Sequence, residues 1–173
     1  MANICRTELT IVATPEAINY FKEKFNNSHS GDYPSKLSKP HIIDVFGSRR
    51  TENIVDKIGA KWISIYDELE EISETECKVQ LESAYHIPSS MISEIYLQLE
   101  EIDGSVKMYG RYWDEGFFPI GVFELYYGDI FEEEENVDEE DYELGVDGSI
   151  WEVAIEPMFK KLQKKLNKVM KEI

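Results

Sequence analysis

The chain has 173 residues, 42% of them hydrophobic and 12% aromatic, and a formal net charge of −17. Such a length and apolar content suffice to bury the core of one domain, which excludes a disordered chain. The charge opposes approach to DNA, RNA or an anionic membrane over a Debye length, so it disfavours direct nucleic-acid or membrane binding and favours a basic protein partner.

The first element is a strand over TELTIVAT, where Leu9, Ile11 and Ala13 share one face while Glu8 and Thr10 share the other. Thr14, Pro15 and Glu16 suit a helix N-terminus, and Ile18, Phe21 and Phe25 give that helix a buried stripe ending near Asn26-Asn27. Residues 28–59 read as an insertion. Its first part, SHSGDYPSKLSKP, has the composition of a mobile surface loop; HIIDVFG is apolar but unassigned, and TENIVDKIGA predicts a short helix stopped by Gly59.

KWISIYDEL and ECKVQLESAY both alternate, with EEISET as the turn of an antiparallel hairpin. A helix over SSMISEIYLQLEEIDG follows, its Ile92, Ile95, Leu99 and Ile102 at helical spacing. SVKMYGRYW and FFPIGVFELYY predict a second hairpin turned at Asp114-Glu115-Gly116. The chain finishes with an amphipathic helix. Ser149 and Glu152 stand as a capping box, but Pro157 moves the main helix start to about Glu156. Ile155, Phe159, Leu162, Leu166, Val169 and Ile173 form its apolar stripe.

Strand, helix, two strands, helix, strand is the split βαβ order of an α+β, ferredoxin-like antiparallel sheet with helices on one face. A fifth strand, the 28–59 insertion, an acidic segment and the C-terminal amphipathic helix are additions. The expected organisation is a ferredoxin-like domain over residues 1–128, an acidic segment over 129–148, and a C-terminal helix over 149–173 packed on the same domain.

MANICRTELTIVATPEAINYFKEKF, IGAKWISIYD, LESAYHIPSSMISEI and GRYWDEGFFPIGVFE together resemble the YubB-type ferredoxin-like family of phage and plasmid proteins. The resemblance covers roughly residues 1–128 with a gap over the insertion. It departs at Tyr85-His86-Ile87-Pro88, where the family pattern has a Trp followed by a polar residue and prolines. It implies a mobile-element origin and a ferredoxin-like fold, and no reaction or catalytic residues.

No catalytic or cofactor signature accompanies this fold. Cys5 and Cys77 lack CxxC spacing and read as reduced, packed thiols. His29, His41 and His86 form no ligand-spaced set with them, and neither a nucleophile elbow nor a phosphate-cradling Gly motif occurs. The expectation is a non-enzymatic protein without cofactor or metal. The N-terminus lacks a basic-then-apolar leader pattern, so the expected location is the cytoplasm of a host cell.

The charge anomaly lies between Asp129 and Asp147, where Asp129, Glu132, Glu133, Glu134, Glu135, Asp138, Glu139, Glu140, Asp141, Glu143 and Asp147 place eleven carboxylates in nineteen residues. Duplex DNA carries one charge per about 1.7 Å of axis. A helical form of this segment would carry one per about 2.6 Å, an extended form one per about 5.7 Å.

The run does not meet EF-hand spacing. Three readings compete: a flexible solubilising loop, a cation site, and charge mimicry of nucleic acid with Phe131, Val137, Tyr142 and Leu144 pinning the segment to the body. The Lys face of the last helix is either solvated, docked near the acidic run, or a partner face.

Mimicry gives the leading expectation: inhibition of a host nucleic-acid-binding defence protein, such as a CRISPR effector or a restriction enzyme, through those eleven carboxylates. The alternative is a small-ligand or regulatory domain with a pocket between sheet and C-terminal helix, lined by Trp62, Tyr85, His86 and Trp113, with Phe117 as a further aromatic contact. Trp62, Tyr66, Tyr85, Tyr109, Trp113 and Phe117 also suit base stacking on a sheet, but without the basic neighbours that stacking needs.

Overall fold

The computed structural model describes residues 3–116, 119–137 and 150–173. Seven strands form one antiparallel sheet: β1 (Ile4–Val12), β2 (Ile63–Ile65), β3 (Glu70–Ser73), β4 (Glu76–Ala84), β5 (Lys107–Asp114), β6 (Ile120–Tyr126) and β7 (Asp129–Glu135). The order is β2-β4-β1-β5-β6-β7, with β3 also pairing β4. Since each neighbouring pair is antiparallel, β1 and β2 run parallel with β4 between them, and β4 and β5 run parallel with β1 between them.

Period-two alternation gives the sheet two apolar faces. Cys5, Leu9 and Ile11 of β1, Val79 and Leu81 of β4, and Phe123 and Leu125 of β6 point to one core. Helices α1 (Pro15–Asn26), α2 (Ile42–Phe46), α3 (Ile54–Ile58) and α4 (Ser89–Glu100) supply the other half of that core. Phe21, Phe46, Met91, Ile92 and Ile95 are fully buried there, and each such side chain stabilises by about 1.5–3 kcal/mol relative to exposure. Ile120 and Val122 of β6 point the opposite way, under α5 (Glu156–Met170), and meet Ile155, Phe159, Leu162 and Leu166.

The first strand and the two long helices match their sequence patterns. Thr14 holds the N-cap position of α1, although its side chain makes no capping bond. Its backbone N–H instead donates to the Asp103 carboxylate at 2.7 Å. The unassigned HIIDVFG is α2, capped by the His41 ring, which accepts from the Ile43 N–H. The loop before it has its ends tied together: His29 N–H donates to Pro40 O, and Ile42 N–H to His29 O.

Three expectations need correction. EEIS is not a turn but β3, because Glu70 and Glu71 pair with Lys78 and Cys77 of β4 and only Glu74-Thr75 reverses the chain. Ile102 lies beyond the C-terminus of α4 and is exposed, since that helix ends at Glu100. Val169 and Ile173 are exposed too: Ile173 lies beyond the end of α5 at Met170, and in its last turn it is Met170, not Val169, that packs on the α5 core. The main C-terminal helix α5 begins at Glu156, as the position of Pro157 predicts, and a π-helical turn over Trp151–Ile155 leads directly into it. Ser149 lies outside the described residues.

Candidate functional site: an acidic sheet edge

The acidic run does not wait for a helix to order it. Its first seven residues are β7, registered antiparallel on β6 from Tyr126↔Asp129 to Ile120↔Glu135. Carboxylates are disfavoured in strands, so local propensity does not explain this. Tertiary contacts do: Ile130 packs on the α1–α4 core while Phe131 packs on the α5 core. Tyr127 and Gly128 make the connecting turn, both at positive φ (52° and 84°), as a two-residue hairpin of the primed type requires.

Five carboxylates on seven extended residues amount to one per about 4.6 Å. This part is sparser than a duplex and nearer to one DNA strand, which carries one charge per about 3.4 Å. Asp138, Glu139, Glu140, Asp141, Glu143 and Asp147 lie outside the described residues.

The carboxylates differ by face. Glu135 points under α5, where Lys161 donates to it at 2.8 Å and Lys165 stands 3.8 Å away; the Lys161 hydrogen bond holds its carboxyl below the usual range. Part of the Lys face is therefore used internally, against the acidic run. Glu132 and Glu134 point to the opposite face. There the Tyr112 hydroxyl lies 3.1 Å from one Glu132 oxygen and 2.8 Å from one Glu134 oxygen. Burial, then the Glu132 charge, push the Tyr112 phenol far above its ordinary value, so it stays a donor.

The aromatic pocket expected from sequence is not assembled. Trp113 faces α5 and stacks edge-on against Trp151 at 5.1 Å and Phe159 at 6.3 Å. His86 lies on the other side of the sheet, lining a small cavity of about 190 Å³ with Tyr112, Glu132 and Glu134. Tyr85 is exposed at positive φ (71°) between β4 and α4, and Trp62 is half-buried just before β2. Phe117 lies outside the described residues. Ile120, Val122, Ile155, Phe159, Leu162 and Leu166 pack together between sheet and α5, and along their edge a cavity of about 390 Å³ opens, lined by Thr10, Lys78, Tyr109 and Arg111 of the sheet and Phe159 and Gln163 of α5, without the four residues expected from sequence.

Beside α5 the sheet is open. Tyr66 stacks under Arg6 at 4.7 Å, Arg6 pairs with Glu82, and Arg111 joins Glu8 and Glu156 at 3.0 Å each. These cations are matched by carboxylates, so the face lacks the positive potential that base stacking needs. Among the described residues no group of three or more His, Cys, Asp or Glu is arranged to hold a metal ion, and no helix is long and apolar enough to cross a membrane.

Sequence reasoning missed β7 and the Tyr112 contact. Gly128 between the alternating FELYY and DIF was the available signal for a hairpin. Comparison with protein-family models, curated proteins and solved structures returns no match to this chain.

Proposed function

We propose that this chain is a non-enzymatic acidic binding protein that inhibits a host nucleic-acid-binding defence protein, such as a CRISPR effector or a restriction enzyme, by occupying its basic nucleic-acid channel. The observation that carries the reading is β7: a regular strand at the sheet edge that displays Asp129, Glu132, Glu133 and Glu134 on an ordered backbone. An ordered array keeps its charges in register with Arg and Lys of a target and adds long-range attraction, which raises the association rate. The resemblance of residues 1–128 to YubB-type proteins supports a phage or plasmid origin. The β1-α1-β2-β4-α4-β5 arrangement supports a ferredoxin-like core extended by β6 and β7.

The test is affinity capture of the tagged chain from host lysate, identification of the captured protein, and competition of the purified pair with DNA or RNA. The expected result is a nucleic-acid-binding partner released by added salt and by nucleic acid. Glu132→Gln, Glu133→Gln and Glu134→Gln together weaken binding and flatten its salt dependence. A partner that keeps its nucleic acid while bound to the chain overturns the reading.

A further inference from the structure

The two ends of the sheet are unlike. At one end, β2 has three residues, and β3 has four with a register shift between Glu71 and Ser73, so that edge is short and broken. Such features blunt an edge against pairing. At the other end β7 runs seven residues in unbroken register with β6, and among the described residues nothing pairs with its outer side.

The turn decides which backbone groups are free. In a two-residue hairpin the residues flanking the turn form a hydrogen-bonded pair, and bonded pairs then alternate. With Tyr126 opposite Asp129, residues 129, 131, 133 and 135 bond inward to β6. Ile130, Glu132 and Glu134 therefore direct their N–H and C=O groups outward.

The side chains at the same positions carry unmet charge. Glu132 and Glu134 share one Tyr112 hydroxyl, whose single proton serves one carboxylate at a time. No Lys or Arg among the described residues forms an ion pair with either, in contrast to Glu135 on the other face with its two lysines. A second copy of β7 is a poor occupant, because antiparallel self-pairing would set carboxylate opposite carboxylate.

From this we infer that β7 takes its partner by strand addition: an extended basic segment pairs its backbone with Ile130, Glu132 and Glu134, and sets Lys or Arg side chains beside Glu132 and Glu134. The exposed Tyr126 and Tyr127 at the turn provide an aromatic contact at the end of the added strand. The inference rests on the acidic-partner reading above and specifies how such a partner is held.

The experiment uses the full chain and two peptides of equal charge. One is an eight-residue alternation of Lys and Val; the other has the same sequence with backbone N-methyl groups on two of the lysines and two of the valines, which removes ladder donors whichever way the added strand runs. Binding is read by fluorescence anisotropy and by amide exchange of the protein. The unmodified peptide is expected to bind at least about ten-fold tighter than the N-methylated peptide and to slow exchange at the amides of Ile130, Glu132 and Glu134.

The double variant Glu132→Gln, Glu134→Gln is expected to lose most of that affinity. Equal affinity for the two peptides overturns strand addition and leaves a purely electrostatic acidic surface. Binding of neither peptide, or protection of those three amides before any peptide is added, also overturns it. Peptide binding by strand addition, together with a captured partner that keeps its nucleic acid, supports the docking mode and removes mimicry alone.

Discussion

The ring of Tyr112 packs against Gly121, its registered partner on β6, so closely that a Cβ at Gly121 would sit 2.3 Å from the ring. This close approach lets a β5 side chain cross β6 and reach the β7 carboxylates. Gly121→Ala is expected to displace the ring and destabilise the fold by about 1–3 kcal/mol through overpacking. Tyr112→Phe keeps the ring but removes the charge-assisted bond to Glu134, a loss of about 1.5–3 kcal/mol. Urea unfolding of both variants measures these values, and amide exchange shows whether loosening concentrates in β7.

Arg111 fastens α5 to the sheet. It bonds Glu8 on β1 and Glu156 on α5 and lies 5.2 Å over the Phe159 ring. The Glu8 side chain is only 15% exposed, whereas that of Glu156 is 37% exposed. Double-mutant cycles are therefore expected to give a larger coupling for Arg111 with Glu8 than with Glu156, the latter about 0.2–1 kcal/mol because solvent screens it.

Acid is expected to loosen the join between α1 and the turn before β5. Hydrogen bonds from the Ser105 hydroxyl, the Ser105 N–H and the Thr14 N–H hold the Asp103 carboxyl below its ordinary value. A depressed folded-state value means the unfolded chain binds the proton more readily. The contribution is present above the ordinary Asp value near 3.9 and is lost as pH falls through the folded value. Asp103→Asn should thus destabilise at neutral pH, and its deficit against the parent should shrink in acid, as thermal unfolding across pH 2–7 would show.

The 28–59 insertion has its own acid response. The Nδ1 of His41 accepts from Ile43 N–H, and its Nε2 faces Gly31 O, an arrangement that fits the neutral ring protonated at Nε2. Burial holds His41 below its usual value. Its contribution is complete above the unfolded value near 6.5 and falls away as pH drops through the lower folded value. Protonation of Nδ1 removes the α2 cap, so amide exchange at Ile43 is expected to gain protection between pH 5 and 7 once the intrinsic pH dependence of exchange is removed.

Both thiols are expected to be inert in the folded chain. Burial pushes Cys5 and Cys77 up to about 12, and both lie within the α1–α4 core. A thiol reagent at pH 8 should label neither until denaturant is added.

Elements whose residues bury one face at a regular period were legible: β1 with Leu9 and Ile11, α1 with Ile18, Phe21 and Phe25, and α4 with Ile92, Ile95 and Leu99. Alternation or helical spacing is itself the record of a one-sided burial. Short elements were not legible in this way. The five residues of α2 are too few to show a period, and its cap is a histidine ring.

The sequence by itself determined the charge, the order of β1, α1, β2, β4, α4, β5 and β6 but not α2 or β3, and the place of the carboxylates. It could not determine their conformation, because Glu-rich residues carry no local preference for a strand. Pairing with β6 through Tyr127-Gly128, with Ile130 and Phe131 anchored in two separate cores, made an acidic run into a sheet edge. The same tertiary pairing decided which carboxylates α5 neutralises and which face outward with Tyr112, since strand alternation assigns a face only once the register is fixed.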